Sequence, residues 1–223
     1  RLSGELEQWS QRTLDELKWI SNLYKYENKV YSQNGEDGVL KEVFSFLGST
    51  NKFAVEFGCE DGSEINTRML WEEQGWRAVL LDGGHENTSL HANASLLKCF
   101  ITKENIVETL ISQGVPRRFD LLSIDIDYND FWVLDSLLNS FSPRVVIAEV
   151  NRNFESSESF TVPYDADMHW TGSRLAGFPH GTCYYGMSAR ALDNLARFHG
   201  YRMIYMFADA INAIIVRNDL LSE

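Results

Sequence analysis

The spacing of apolar positions changes near residue 50 and divides the chain into two parts. Over residues 2–26, Leu6, Trp9, Leu17, Ile20 and Tyr24 recur at helical spacing. A second helical pattern opens at Glu36, puts Leu40, Val43, Phe44 and Leu47 on one face, and stops at Gly48. Beyond it, short runs rich in Val, Ile, Leu and Phe alternate with amphipathic stretches. The runs predict strands at 53–57, 78–82, 99–102, 121–127, 145–151, 202–207 and 213–217, and the stretches between them predict helices at 65–74, 104–113, 131–140 and 188–199. Alternation of this kind predicts an α/β fold: a Rossmann-like, mostly parallel sheet of seven strands with helices on both faces. The last two runs are separated only by residues 208–212, which is hairpin length, so the final strand is expected to run antiparallel. Residues 1–30 read as an N-terminal helical extension and 31–223 as one domain. Within that domain, 152–185 breaks the rhythm with Pro163, Pro179 and an aromatic group of Trp170, Phe178, Tyr184 and Tyr185. It follows a central strand, where ligands of open α/β sheets bind, and reads as a substrate loop or lid.

Composition narrows the partners. The 223 residues carry a formal charge of −12, which disfavours a nucleic-acid groove and electrostatic docking on an anionic membrane. A small or sugar-like substrate and a cationic cofactor suit this balance. No apolar run is long enough to cross a bilayer. The three cysteines, Cys59, Cys99 and Cys183, are too scattered for a disulfide framework or a thiolate zinc site. Their odd number leans towards a reducing compartment. The expected locations are the cytoplasm, for a bacterial chain, or the Golgi lumen, for a glycan-modifying eukaryotic chain whose anchor precedes Arg1.

The chemistry concentrates in "FAVEFGCEDGSEINT", residues 53–67. A strand, then Glu56-x-Gly58-x-x-Asp61-Gly62, then a helix is a nucleotide-site arrangement in which the glycines let the backbone turn beneath a ligand. No Gly-Lys-Ser/Thr follows, so it is not a phosphate-binding P-loop, and Glu60 stands where the dinucleotide fingerprint has its middle glycine. Glu56, Glu60 and Asp61 would repel a diphosphate. They would not repel S-adenosylmethionine, which has a sulfonium, an ammonium and no phosphate. Asp82 ends the next strand about twenty residues past Gly62, where an acid can accept ribose hydroxyls.

These stretches resemble class I S-adenosylmethionine-dependent methyltransferases, and among them the FkbM-like family. The resemblance is carried by "YSQNGEDGVL" (31–40), "VEFGCEDGSEINT" (55–67), "GWRAVLLDG" (75–83), "FDLLSIDIDYNDFWVL" (119–134), "PRVVIAEVN" (143–151), "TVPYD" (161–165), "YYGMSARALDNLA" (184–196) and "NAIIVRNDLL" (212–221). It implies a seven-stranded sheet with an antiparallel last strand, cofactor contacts at Gln33, Glu56, Gly58, Asn66 and Asp82, and O-methylation of a hydroxyl on a sugar, a glycan or a glycosylated small molecule. Asp61 and Asp125 join the expected cofactor contacts. The family pattern has Asp-Gly-Asn-Asp where this chain has Asp127-Tyr128-Asn129-Asp130, so Tyr128 closes the pocket or alters the acceptor.

An alcohol needs a base or a metal to act as a nucleophile at neutral pH. Asp125 and Asp127 share a face at one strand end, and Glu149 and Asn151 share a face at the next. Two alternatives follow. Asp127, Glu149 and Asn151 hold Mg²⁺ or Mn²⁺, or Asp127 acts as a metal-free base, alone or with His169 or His180 from the lid. A rival reading from another class is a methyltransferase fold that has lost catalysis and serves as an interaction module.

Overall fold

The computed structural model describes residues 11–62, 65–85, 88–168 and 182–222. The N-terminal helix expected over 2–26 is shorter in its described part. Helix α1 is Gln11–Ile20, and a separate 3-10 turn follows at Leu23–Tyr26. Helix α2 runs Glu36–Leu47 and ends at Gly48, where the chain takes the left-handed conformation, as the apolar pattern predicted. The chain then continues as β1 (Phe53–Phe57), α3 (Arg68–Glu73), β2 (Arg77–Asp82), β3 (Thr88–His91), β4 (Ala94–Lys98), α4 (Ile106–Ser112), β5 (Arg118–Ile124), α5 (Asp130–Leu138), β6 (Ser142–Glu149), α6 (Ala189–Phe198), β7 (Tyr201–Met206) and β8 (Asn212–Arg217).

One sheet contains all these strands in the order β3-β4-β2-β1-β5-β6-β8-β7. The pairs β4–β2, β2–β1, β1–β5 and β5–β6 are parallel, whereas β8 is antiparallel to both β6 and β7. Two expectations are corrected. The strand near 99–102 lies earlier, at Ala94–Lys98, and an additional edge strand, β3, pairs with it as an antiparallel hairpin. Among the described residues the sheet therefore has eight strands. The apolar run Phe100-Ile101 misled the periodicity because both residues line a cavity from a segment outside any strand, with Ile101 buried and Phe100 exposed, while Leu96 and Ala94 of the weaker-looking "ASLLK" enter the core.

Strand residues alternate between two cores. Val55, Val79, Leu81, Val146, Ala148 and Ile215 pack under α4, α5 and α6 through Leu110, Leu134 and Leu192. Ala54, Leu80, Leu121, Val145, Ile147 and Ile214 pack under α1, α2 and α3 through Trp19, Val43 and Trp71. Helices thus cover both faces, and the central strands are apolar on both sides. The chain leaves β1 towards β2 in one direction and returns to place β5 on β1's other side. The crevice opens where the order reverses, at the carboxyl ends of β1 and β5.

Candidate cofactor and acceptor site

Gly58 lies at that reversal. Its φ is +70°, and a Cβ there would stand 1.5 Å from the Asp125 carbonyl oxygen. Only glycine lets the loop after β1 approach the end of β5 so closely. Two cavities meet at this point, and Gly58, Asp82 and Asp127 line both. The first, about 340 Å³, is flanked by Leu81, Phe100, Ile101, Ile126 and Met168, with Asn129 as a polar edge. The second, about 420 Å³, is polar and adds Gln33, Asn66, Arg152, Tyr185, Ile211 and Asn212. Among its described lining residues are six carboxylates (Glu56, Glu60, Asp82, Asp125, Asp127, Glu149) against the one guanidinium of Arg152. A phosphate would enter against that field, and a cation would be drawn in.

The individual acids have different tasks. Glu56 is buried and its two oxygens are already engaged. Oε1 accepts from the Asn66 N–H (2.7 Å) and the Ser123 hydroxyl, and Oε2 from the N–H and hydroxyl of Thr67. Burial raises its pKa against these hydrogen bonds. Glu56 ties the loop to the start of α3, which also places Asn66, whose amide donates to Ser123 Oγ. Asp82 organises the neighbouring turn. Its Oδ1 accepts from the backbone N–H of Gly84 and His85 and sits 2.8 Å from His85 Nδ1, while Oδ2 accepts from the Glu60 N–H. Burial works against ionisation, but these hydrogen bonds prevail and hold the carboxyl below the usual range. Oδ2, with the Glu60 N–H as its one hydrogen-bond donor among the described residues, is the oxygen left for a ligand hydroxyl.

Gln33 reaches the polar cavity because Asp37 shapes the segment before it. Asp37 Oδ2 accepts from the N–H groups of Val30, Tyr31 and Ser32 and from the Ser32 hydroxyl. Its neighbour Glu36 accepts from the Asn34 N–H and from the Asn212 amide. The motif "SQNGEDG" is therefore a wall of the site as well as a helix start. Asp37→Ala is expected to destabilise the protein by about 2 kcal/mol, since it strands several donors at once. A thermal or urea unfolding curve checks this.

At the end of β5 and β6 the structure gathers a carboxylate set different from the expected one. Asp125, Asp130 and Glu149 bring ligand oxygens to within 4.8 Å of one another. Burial first, and then the charges of Asp130, Asp127 and Glu56, push Asp125 well above the carboxylate range. Burial and the charges of Asp125, Asp130 and Asp127 push Glu149 up to about 11, and burial with Asp127 raises Asp130 to about 7. Asp127 lies close by and outside this trio, in a left-handed turn with φ +65°, facing both cavities.

Asn151 is occupied elsewhere. Its amide nitrogen donates to the carbonyls of Cys183 and Tyr185, and its oxygen accepts from the backbone and side chain of Asn153. It pins the segment that brings Tyr185 to the cavity, and it is not among the carboxylate group that converges at the ends of β5 and β6. Asp61 is exposed and lines a separate small depression with Arg68, Trp71 and Leu90, away from both cavities. His169 and His180 lie outside the described residues. Tyr128 is buried against Tyr184, ring centroids 6.1 Å apart, and is not among the described residues lining either cavity.

No family model matches the chain, and no curated protein matches it. Solved structures of similar shape exist. The N-terminal domain of EvdMO1 with S-adenosylhomocysteine bound is 14% identical, covering 93% of this chain and 98% of that one, with a TM-score of 0.47. A putative O-methyltransferase from Klebsiella pneumoniae is 15% identical over 96% of this chain and 93% of that one, TM-score 0.44. An O-methyltransferase from Bacillus cereus in complex with S-adenosylhomocysteine is 13% identical over 96% and 94%, TM-score 0.42.

Sequence reasoning missed Asp130 as a cluster residue and Arg152 as a cavity residue, whereas Tyr185 was named in the aromatic group of the loop and lines the polar cavity. Asp130 looked like an ordinary first-turn acid of a helix. Its spacing from Asp125 gives no hint that the intervening residues turn back on themselves, with the Tyr128 N–H donating to the Ile126 carbonyl.

Proposed function

We propose that the protein is an S-adenosylmethionine-dependent O-methyltransferase of the FkbM-like kind, acting on a hydroxyl of a sugar, a glycan or a glycosylated small molecule. One observation carries the reading. A two-part cleft crosses the carboxyl ends of β1, β2 and β5, apolar on one side and rich in carboxylates on the other, joined at Gly58, Asp82 and Asp127. In this reading the purine occupies the slot between Leu81, Phe100, Ile101 and Ile126. The ribose meets Asp82 Oδ2 and the amino-acid end faces Gln33, Asn66 and Asp125. The acidic field receives the ammonium and sulfonium charges, which a dinucleotide could not supply.

The acceptor hydroxyl comes from the side of Arg152, Tyr185 and Asn212, whose hydrogen-bonding groups suit a polyol. Methyl transfer is an in-line displacement. The acceptor oxygen forms a bond to the methyl carbon as the carbon–sulfur bond breaks, leaving a neutral thioether, and the hydroxyl proton passes to a carboxylate. In this reading Asp127, which lines both cavities, takes it. The segment 152–185 serves as the acceptor loop, with its described parts fastened by Asn129 to the Asp165 carbonyl and by Trp132 Nε1 to the Val162 carbonyl.

Calorimetric titration with S-adenosylmethionine and S-adenosylhomocysteine tests the reading. Micromolar binding is expected, weakened at least ~10-fold in Asp82→Ala, because that change removes a ligand contact and frees the Glu60 and Gly84 N–H groups. No binding of either compound would sink the reading and favour an interaction module.

A further inference from the structure

Three carboxylates from three elements converge beneath the polar cavity: Asp125 after β5, Asp130 in the first turn of α5, and Glu149 at the end of β6. Convergence alone means little, since acidic clusters are common. Two of these groups, however, hold an orphaned oxygen. Asp130 is fully buried, and Glu149 is 9% exposed. Asp130 Oδ1 accepts from the Ile126 N–H at 2.8 Å, but its Oδ2 has no hydrogen-bond partner, and neither does Glu149 Oε2. A buried carboxylate oxygen without a donor is costly, and two beside a third carboxylate are costlier still. No Lys or Arg among the described residues forms an ion pair with any of the three. The nearby charges are also negative, Asp127 and Glu56, while Arg152 lines the cavity side.

We propose that Asp125, Asp130 and Glu149 form a binding site for one hard divalent cation, Mg²⁺ or Mn²⁺. An all-oxygen, all-anionic ligand set selects such ions over zinc or copper, which favour imidazole and thiolate. The ion would give the orphaned oxygens of Asp130 and Glu149 a partner and let all three groups ionise. Asp125 and Glu149 also line the polar cavity, so the ion's remaining positions face the cleft and are open to water or to acceptor oxygens. This last clause rests on the methyltransferase reading, whereas the ion site does not. The site differs from the Asp127–Glu149–Asn151 set that strand-end spacing suggested, because Asn151 is held by the Cys183–Tyr185 loop.

The rival arrangement is a proton shared between Asp125 and Glu149, whose carboxylates face each other closely enough to hydrogen-bond. Titration of the whole chain with Mn²⁺, followed by the loss of the free-ion paramagnetic resonance signal, separates the two. Calorimetry with Mg²⁺ provides a second reading. The expected result is one ion per chain, a thermal midpoint raised by Mn²⁺, and binding weakened at least ~10-fold in both Asp130→Asn and Glu149→Gln, each checked for folding by circular dichroism. Wild-type protein that takes up no Mn²⁺ or Mg²⁺, or uptake unchanged in both variants, overturns the site. A Glu149→Gln variant that is more stable than wild type, together with no ion uptake by wild type, establishes the shared proton instead. S-adenosylhomocysteine titrated into the same wild-type sample reports on the cofactor reading separately.

Discussion

Gly58→Ala is expected to destabilise the protein by about 4 kcal/mol or more and to abolish S-adenosylhomocysteine binding. The added Cβ would sit 1.5 Å from the Asp125 carbonyl oxygen and 2.7 Å from its carbon. These are backbone atoms at the end of a central strand, and they cannot swing aside as a side chain would. The residue also keeps φ at +70°, a conformation that costs any residue with a Cβ about 1 kcal/mol or more before the clash is counted. Relief requires moving β1's exit away from β5, and the Gly58 N–H, which donates to the Leu81 carbonyl, would be pulled from β2. The core beneath cannot absorb the shift, since Phe57 and Ile124 are fully packed. Urea unfolding and calorimetry check both parts. A variant within about 1 kcal/mol of wild type would mean that the close approach at the strand reversal is not a constraint of the fold.

Glu56→Ala is expected to cost about 4 kcal/mol, for a different reason. The side chain is buried and accepts from two backbone N–H groups and two hydroxyls. Truncation leaves the N–H groups of Asn66 and Thr67 without a partner in a place water reaches poorly, and opens a cavity beside Ser123. Glu56→Gln separates hydrogen bonding from volume. Its amide can accept through one oxygen only, and its NH₂ would face donors where Glu56 faces them with a second oxygen, so most of the loss should persist. Cofactor affinity should fall in both variants, because Asn66 and the turn after Gly58 are held by this carboxylate. Chemical denaturation of the two variants, with titrations on the folded fraction, measures the effect. A Glu56→Gln protein as stable as wild type would show that the carboxyl is already protonated and that its second oxygen is not needed as an acceptor.

These two residues show how unevenly the site could be read from the chain. The glycine-acid loop was legible because turn chemistry is local. Gly58 and Gly62 both take positive φ, and the strand, loop and helix follow one another in sequence. The role of Glu56 was not legible as a loop tie. A carboxylate on a nucleotide-site loop reads as a ligand contact until the positions of Asn66, Thr67 and Ser123 are known. Asp82 lay between these cases: its place at the end of β2 was evident, but the engagement of Oδ1 by Gly84 and His85 was not.

By itself, the sequence determined the α/β alternation, the position of most strands, the boundaries of α2, the antiparallel direction of the last strand and the strand ends where chemistry gathers. All of these depend on periodicity and turn residues, which act over a few positions. Only the tertiary structure decided which acids meet. Asp125, Asp130 and Glu149 converge because β5 pairs with β6 in a particular register and because the 126–129 turn folds Asp130 back under the strand end. Asn151 is withdrawn because residues 183–185, distant in sequence, compete for its amide. Pairing register and loop closure join positions far apart in the chain, and no local pattern of polar and apolar residues encodes such distances.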